Sequence, residues 1–295
     1  MNQVLRDKKA IFAFVAPGFI LYTLLVILPI VWSGYYSFFD GTAGMKSWAF
    51  AGLKNYGKLF KDKNFLNALS VNMRYVLMVT VGQVFFGLLM ALIFKFWVKK
   101  FGALVRTIVF FPVVLPTVAV AQLFAKIYEI QPHYGLLNSV LAGVGLESWV
   151  QPWIGKSSTA LGSLAAMDIW VAIGFYSVII YGALLDISSE VLEAAQIDGC
   201  NAFQLFRHIL APLLRPILVT CVIFSFTGTV KMFESALALT GGGPGTATRS
   251  LSMYMYDTAF TYMKTGYGST IALVIFLICV IGSRIIRFFD WDYRK

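Results

Sequence analysis

Six long apolar blocks leave this chain few ways to fold. They lie at Ile11 to Tyr36, Tyr75 to Phe94, Leu104 to Ala125, Thr159 to Leu185, Ile209 to Leu237 and Gly268 to Ile286. Each can cross a hydrocarbon core of about 30 Å, which takes roughly 20 helical residues. Helices are required because backbone groups in lipid must be satisfied within the segment, and the alternation of a barrel strand is absent. Hydrophobic residues make up 59% of the 295 positions and charged residues 13%, half the charge of an ordinary soluble domain. The expectation is an all-α integral membrane protein with six transmembrane helices.

The first block follows Arg6, Lys8 and Lys9, as a signal peptide would, but it is too long for one and lacks a small-residue cleavage site before Tyr35 and Tyr36. It is read as a retained helix. Cations near helix ends set the orientation. Arg6, Lys8 and Lys9, then Lys95, Lys99, Lys100 and Arg106, then Arg207 and Arg215, and finally Arg284, Arg287, Arg294 and Lys295 place both termini on the cytoplasmic side. The main opposition comes from one amphipathic loop, residues 38–70, with Lys46, Lys54, Lys58, Lys61 and Lys63. A net charge of +10 suits an anionic lipid surface, and no loop has the pattern of a nucleic-acid module.

Several chemistries find little support. Cys200, Cys221 and Cys279 offer neither a disulfide framework nor metal-ligand spacing and read as buried small hydrophobes. His133 and His208, the only histidines, stand near no nucleophile or metal set. Gly155 to Ser157 reads Gly-Lys-Ser, but Val150 occupies the position where a phosphate-binding loop needs its first glycine. The run from Gly241 to Gly245, followed by Thr246 and Thr248, lacks the Lys-Ser/Thr of a phosphate cradle and reads as a flexible turn.

Between the fourth and fifth blocks the chain turns polar: EAAQIDGCNAFQLFRHILAPLLRP, from Glu193 to Pro216. Ser188 and Ser189 can cap a helix with Glu190 and Glu193 near its positive end. Gly199 suits a left-handed stop. Asn201 and Gln204 have the spacing of a capping box, with Phe203, Phe206 and Leu210 expected on one face of a second helix. Pro212 and Pro216 then begin or bend a helix entering the bilayer. An interfacial connector resting on headgroups would explain the same pattern.

In Glu193, Ala194, Ala195, Asp198, Gly199, Ile209 and Pro212 this loop resembles the coupling loop of permease subunits in binding-protein-dependent ABC importers. Cys200 and Ala211 stand where that family usually has Ala and Leu. Phe14 to Asp40, Gly52 to Ala68, Phe110 to Thr117, Tyr134 to Asn138 and Leu239 to Phe260 are similar to its carbohydrate-uptake branch, the maltose-type F and glycerol-phosphate-type A permeases. The resemblance implies a type I ABC importer fold, with residues 1–67 as a first helix and extracytoplasmic loop, 68–288 as the transport core containing the coupling loop 188–216, and 289–295 as a cytoplasmic tail. It implies a multi-pass protein of the cytoplasmic membrane. The partners would be a second, homologous permease in a heterodimer, two ATPase subunits, an extracytoplasmic solute-binding protein and membrane lipid, with no nucleic acid. Cofactors are expected to be absent from this chain, with ATP and Mg on the partner subunits. The solute implied is a sugar, an oligosaccharide first, with glycerol-phosphate or polyols as alternatives.

Ionisable groups within spans are the default candidates for function. Asp168, two residues from Trp170, could offer a carboxylate and an aromatic face to a sugar, or be a buried acid hydrogen-bonded to a neighbouring helix. Lys231 and Glu234, three apart, could pair on one helix face. Gln122 and Tyr176 complete the substrate-path candidates; with Gln83 and Tyr128 they are the weaker ones, such residues being more often interhelical glue or interface anchors. A proton- or ion-driven carrier using Asp168 and Glu234 is the competing reading, disfavoured by the absence of an internal repeat.

Overall fold

A computed structural model describes residues 8–42, 48–98 and 100–291. Arg6, Lys46, Lys99, Arg294 and Lys295, which entered the charge argument, lie outside them. The elements are α1 (Ile11–Tyr36), a short antiparallel ribbon of β1 (Phe39–Asp40) and β2 (Ala49–Phe50), α2 (Lys54–Leu59), α3 (Lys63–Phe96), α4 (Gly102–Val114), α5 (Thr117–Ile127), α6 (Leu136–Gly143), α7 (Ser157–Leu185), α8 (Ser189–Ile197), α9 (Ala202–Val230), α10 (Glu234–Thr240), α11 (Leu251–Tyr256) and α12 (Thr265–Trp291). Among the described residues, five helices are long and apolar enough to cross a membrane, and the bent pair α4–α5 makes a sixth span if counted as one.

The chain divides into two compact units. One comprises residues 1–62 and 255–276, the other 63–254 and 277–295. In the first, α1 has no buried residue along its span, and the end of α1 is tied to α2 and α12: Asn55 donates to the carbonyls of Ser37 and Phe39 at 3.1 and 3.0 Å, and Thr270 donates to Ser37 at 3.1 Å.

The second unit is organised on the α3–α7 pair, its most extensive helix contact. Without a hydrophobic drive between helices in lipid, small residues that let backbones approach favour association. Gly174 of α7 illustrates this: a Cβ there would strike the Val109 carbonyl and the backbone of Phe110 on α4. One buried cluster gathers Val71, Tyr75 and Val79 of α3 with Leu164 and Met167 of α7. A second gathers Ala91, Tyr176, Ile180, Leu184, Leu210, Leu214 and Cys221.

Two apolar blocks that read as single spans are interrupted. Leu104 to Ala125 bends by 98° between α4 and α5. Pro116 bars Leu115 from the helical region, and Leu115 is extended at φ −75°, ψ 142°. The block ending at Leu237 stops being one helix at Val230, and α10 restarts at Glu234. Buried Asn72 of α3 stabilises this break, donating to the carbonyls of Thr229 and Val230 at 3.4 and 3.3 Å and accepting the Leu251 N–H at 3.0 Å. The glycine run after α10, expected to be a flexible turn, is hydrogen-bonded: Thr240 and Thr248 hydroxyls meet at 2.7 Å, and Thr248 donates to the Gly243 carbonyl at 2.9 Å.

Candidate functional site

The polar loop folds as its sequence pattern predicts, for local reasons. α8 ends in a left-handed residue, Gly199 at φ +75°. The Gly199 N–H reaches the Gln196 carbonyl at 3.1 Å and the Cys200 N–H reaches Ala195 at 3.0 Å. This pair of bonds is the Schellman stop, which satisfies carbonyls a helix end would otherwise leave open. Two residues on, Asn201 Oδ1 accepts the Gln204 N–H and Gln204 Oε1 accepts the Asn201 N–H, both at 2.9 Å, completing the capping box. Ser188 precedes α8 in extended geometry but makes no side-chain cap bond.

Between these starts and the long apolar part of α9 lies a single wide turn, Phe206–Leu210, in which the Ala211 N–H returns to Phe206. Pro212 has no N–H to give the preceding turn, so the ladder shifts register there instead of breaking. Ile209 lies within this turn and Pro212 directly after it.

One side of the loop is anchored. Ala195, Leu210 and Leu214 are buried, and Leu192, Leu205 and Phe206 pack on the cluster formed with Ala91, Tyr176, Ile180 and Leu184. The opposite side is open: Glu193, Ala194, Gln196 and Asp198 are exposed, Ile197 is 86% exposed and Phe203 68%. Phe203 thus parts from Phe206 and Leu210, with which its spacing grouped it. Glu193 and Ile197, four apart on one helical face, put a carboxylate beside an uncovered apolar side chain. Ile197 escaped the sequence reading; the available signal was an isoleucine at the exposed end of a helix whose inward face is already supplied by Leu192 and Ala195.

Within the bundle, the Tyr75 hydroxyl of α3 donates to the Asp168 carboxylate of α7. Gln83, also on α3, donates to the Asp168 backbone carbonyl at 3.1 Å and accepts from Ser225 of α9 at 2.7 Å. Three helices are therefore joined through one buried polar seam. The Trp170 ring packs 5.4 Å from Phe124 of α5. Tyr176 is buried against the helix-crossing point at Gly87, and Gln122 is exposed on α5. Lys231 and Glu234 do not share a helix face: Lys231 closes α9, Glu234 opens α10, both are exposed, and no ion pair joins them.

The described residues thus form a bundle of bent and broken helices with a capped polar loop between two of its long ones. Residues 83–295 match the family described as binding-protein-dependent transport system inner membrane component, and the chain belongs to that family of ABC importer permease subunits. It is 35% identical over 277 residues to the probable ABC transporter permease protein YurN of Bacillus subtilis (strain 168), with 94% of each chain covered. It is 30% identical over 294 residues to the sulfoquinovosyl glycerol transport system permease protein SmoG of Agrobacterium fabrum (strain C58 / ATCC 33970), covering 96% of this chain and 92% of the relative. The fold matches, at a TM-score of 0.80 and 18% identity, a chain of a bacterial alginate ABC transporter solved in complex with alginate pentasaccharide-bound periplasmic protein, covering 100% of this chain and 98% of that one.

Proposed function

We propose that this permease carries a sugar, an oligosaccharide by preference, and that its polar loop receives the power stroke from an ATPase. The observation that carries the reading is the open face of α8, where Glu193, Ala194 and Ile197 stand clear of the bundle while Ala195 and Leu210 fix the loop to it. Small residues permit close approach, the carboxylate can pair with a basic group, and the two apolar side chains, Ile197 and Phe203, supply area for a cleft on the partner. Asp198 and Gly199 set the turn, and Ile209 and Pro212 pass the motion into α9 as a rigid lever. ATP and Mg belong to that partner, and this chain needs no cofactor of its own.

The assembly we propose is a heterodimer with a second permease, two ATPases on the cytoplasmic side and a solute-binding protein on the other, with both termini cytoplasmic. The solutes of a relative and of a structural neighbour, sulfoquinovosyl glycerol and alginate, support a sugar over glycerol-phosphate or a polyol. Along the path, the Trp170–Phe124 aromatic pair and the Gln122 amide are suited to a sugar ring, while Asp168 and Tyr176 position the helices that present them. Lys231 and Glu234, freed from each other, remain available to polar solute groups. Reconstituted vesicles test the reading. Uptake of labelled oligosaccharide is expected to require ATP, to be indifferent to collapse of a proton gradient, and to vanish in Glu193→Ala with membrane abundance unchanged. Uptake driven by a proton gradient without ATP sinks it.

A further inference from the structure

Three of the five lysines that oppose the charge rule gather in one place. Lys54, Lys58 and Lys61, from α2 and its end, join Lys264 around a concave pocket of about 850 Å³ in the first unit, with Asp40 and Tyr267 also in its wall. Four cations face one carboxylate there. Lys58 Nζ lies 4.5 Å from the centre of the Tyr267 ring, whose hydroxyl donates to Asp62 at 2.6 Å. The ring thereby holds one ammonium in position without neutralising it.

The depth of the pocket is fixed by the spans that end at it. α1 stops at Tyr36 and α12 begins at Thr265. The Gly266 N–H meets the Gly41 carbonyl at 3.3 Å, so the two ends are level. Trp32 and Tyr36 stack at 5.9 Å and Tyr36 packs 4.9 Å from Trp48, a cluster of the amphipathic rings that favour headgroup level. Apolar side chains flank the lysines at both ends of α2: Leu53 is 70% exposed and Phe60 78%. A short helix with uncovered apolar ends and lysine heads at this depth lies in the interface, its stems along acyl chains and its ammonium groups among phosphates. An acidic protein surface would match the charge but would leave Leu53 and Phe60 uncovered.

We infer that this pocket binds the phosphodiester headgroup of an anionic glycerophospholipid. The test uses the full chain purified in detergent and titrated with dioleoylphosphatidylglycerol or dioleoylphosphatidylcholine, bound lipid being counted by native mass spectrometry. The expected result is a preference for the anionic lipid that falls by about fivefold per lysine neutralised. It is lost in the triple variant Lys58→Gln, Lys61→Gln, Lys264→Gln and kept in the charge-matched triple Lys95→Gln, Lys126→Gln, Lys156→Gln. Should the pocket triple not survive purification, Lys58→Gln and Lys264→Gln singly are expected to show the partial loss. Equal binding of the two lipids, or a preference that the pocket variants leave intact, overturns the assignment. So does displacement of the anionic lipid by millimolar inorganic phosphate alone, or loss of solute-binding-protein docking with the lipid preference unchanged.

Discussion

Asn72 donates its amide to the carbonyl of Val230 at 3.3 Å, inside the bundle and at the point where the fifth apolar segment stops being a helix. A helix end in lipid exposes carbonyls that must find partners within the protein. Asn72 meets two of them and takes the Leu251 N–H, at the start of α11, with its oxygen, so one side chain ties the broken end of α9 to α11. Asn72→Leu removes all three bonds, at a cost of about 1–3 kcal/mol for each buried group left unpaired; the Thr229 carbonyl keeps the Met232 N–H at 3.1 Å. A purified Asn72→Leu protein is expected to melt well below wild type; an unchanged melting temperature would show the break to be held by its packing alone.

Gly199 offers a test confined to the loop. Its φ of +75° is reached readily by Gly and tolerated by Asn, and no side chain lies within 4 Å of a Cβ added there. Any defect must then come from backbone conformation and not from a clash. Gly199→Asn is expected to retain most uptake, whereas Gly199→Val, at about 1–2 kcal/mol of strain in the Schellman stop, should reduce it severely. Uptake of labelled solute at matched membrane abundance separates the two.

Ile197 and Phe203 are too exposed to matter to the stability of the isolated chain. Ile197→Ser and Phe203→Ser should leave its melting temperature within about 2 °C, since surface changes fall within roughly ±0.5 kcal/mol. If they anchor an ATPase, each truncation costs about 2 kcal/mol of association, some thirtyfold in affinity. Co-purification of the ATPase with tagged wild type and not with the double variant is the expected result.

Gly174 and Gly162 lie on the same helix and should respond oppositely to alanine. At Gly174 the new methyl meets the backbone of α4, which cannot yield as a side chain would, and a loss of about 1–3 kcal/mol is expected. Nothing lies within 4 Å of the methyl at Gly162, so Gly162→Ala should be neutral or stabilising by up to about 1 kcal/mol through helix propensity. Thermal unfolding of the two single variants in one detergent decides the matter.

Local chemistry was legible and tertiary pairing was not. The Schellman stop at Gly199 and the box between Asn201 and Gln204 depend on neighbours within five residues, so the pattern alone places them. Hydropathy located the spans because lipid demands length. It could not show that Pro116 divides Leu104 to Ala125, since both halves are apolar and together have the length of one crossing. Lys231 and Glu234 could pair only on a continuous helix, whereas the break depends on Asn72, more than 150 positions away in the chain. Tyr75 and Asp168 likewise belong to different helices, and no spacing rule links them. Ile197 carries no signal in the sequence alone, because an exposed isoleucine gains meaning only when its neighbours are already packed.

The first helix crosses its full span without burying one residue in its own chain. Its sequence is therefore not under the discipline of an interior. Substitutions along Ile11–Tyr36 should register weakly in any assay of the isolated protein and strongly only in the finished complex and its native bilayer. A mutational scan read at both levels would find there a segment whose selection is written entirely by its surroundings.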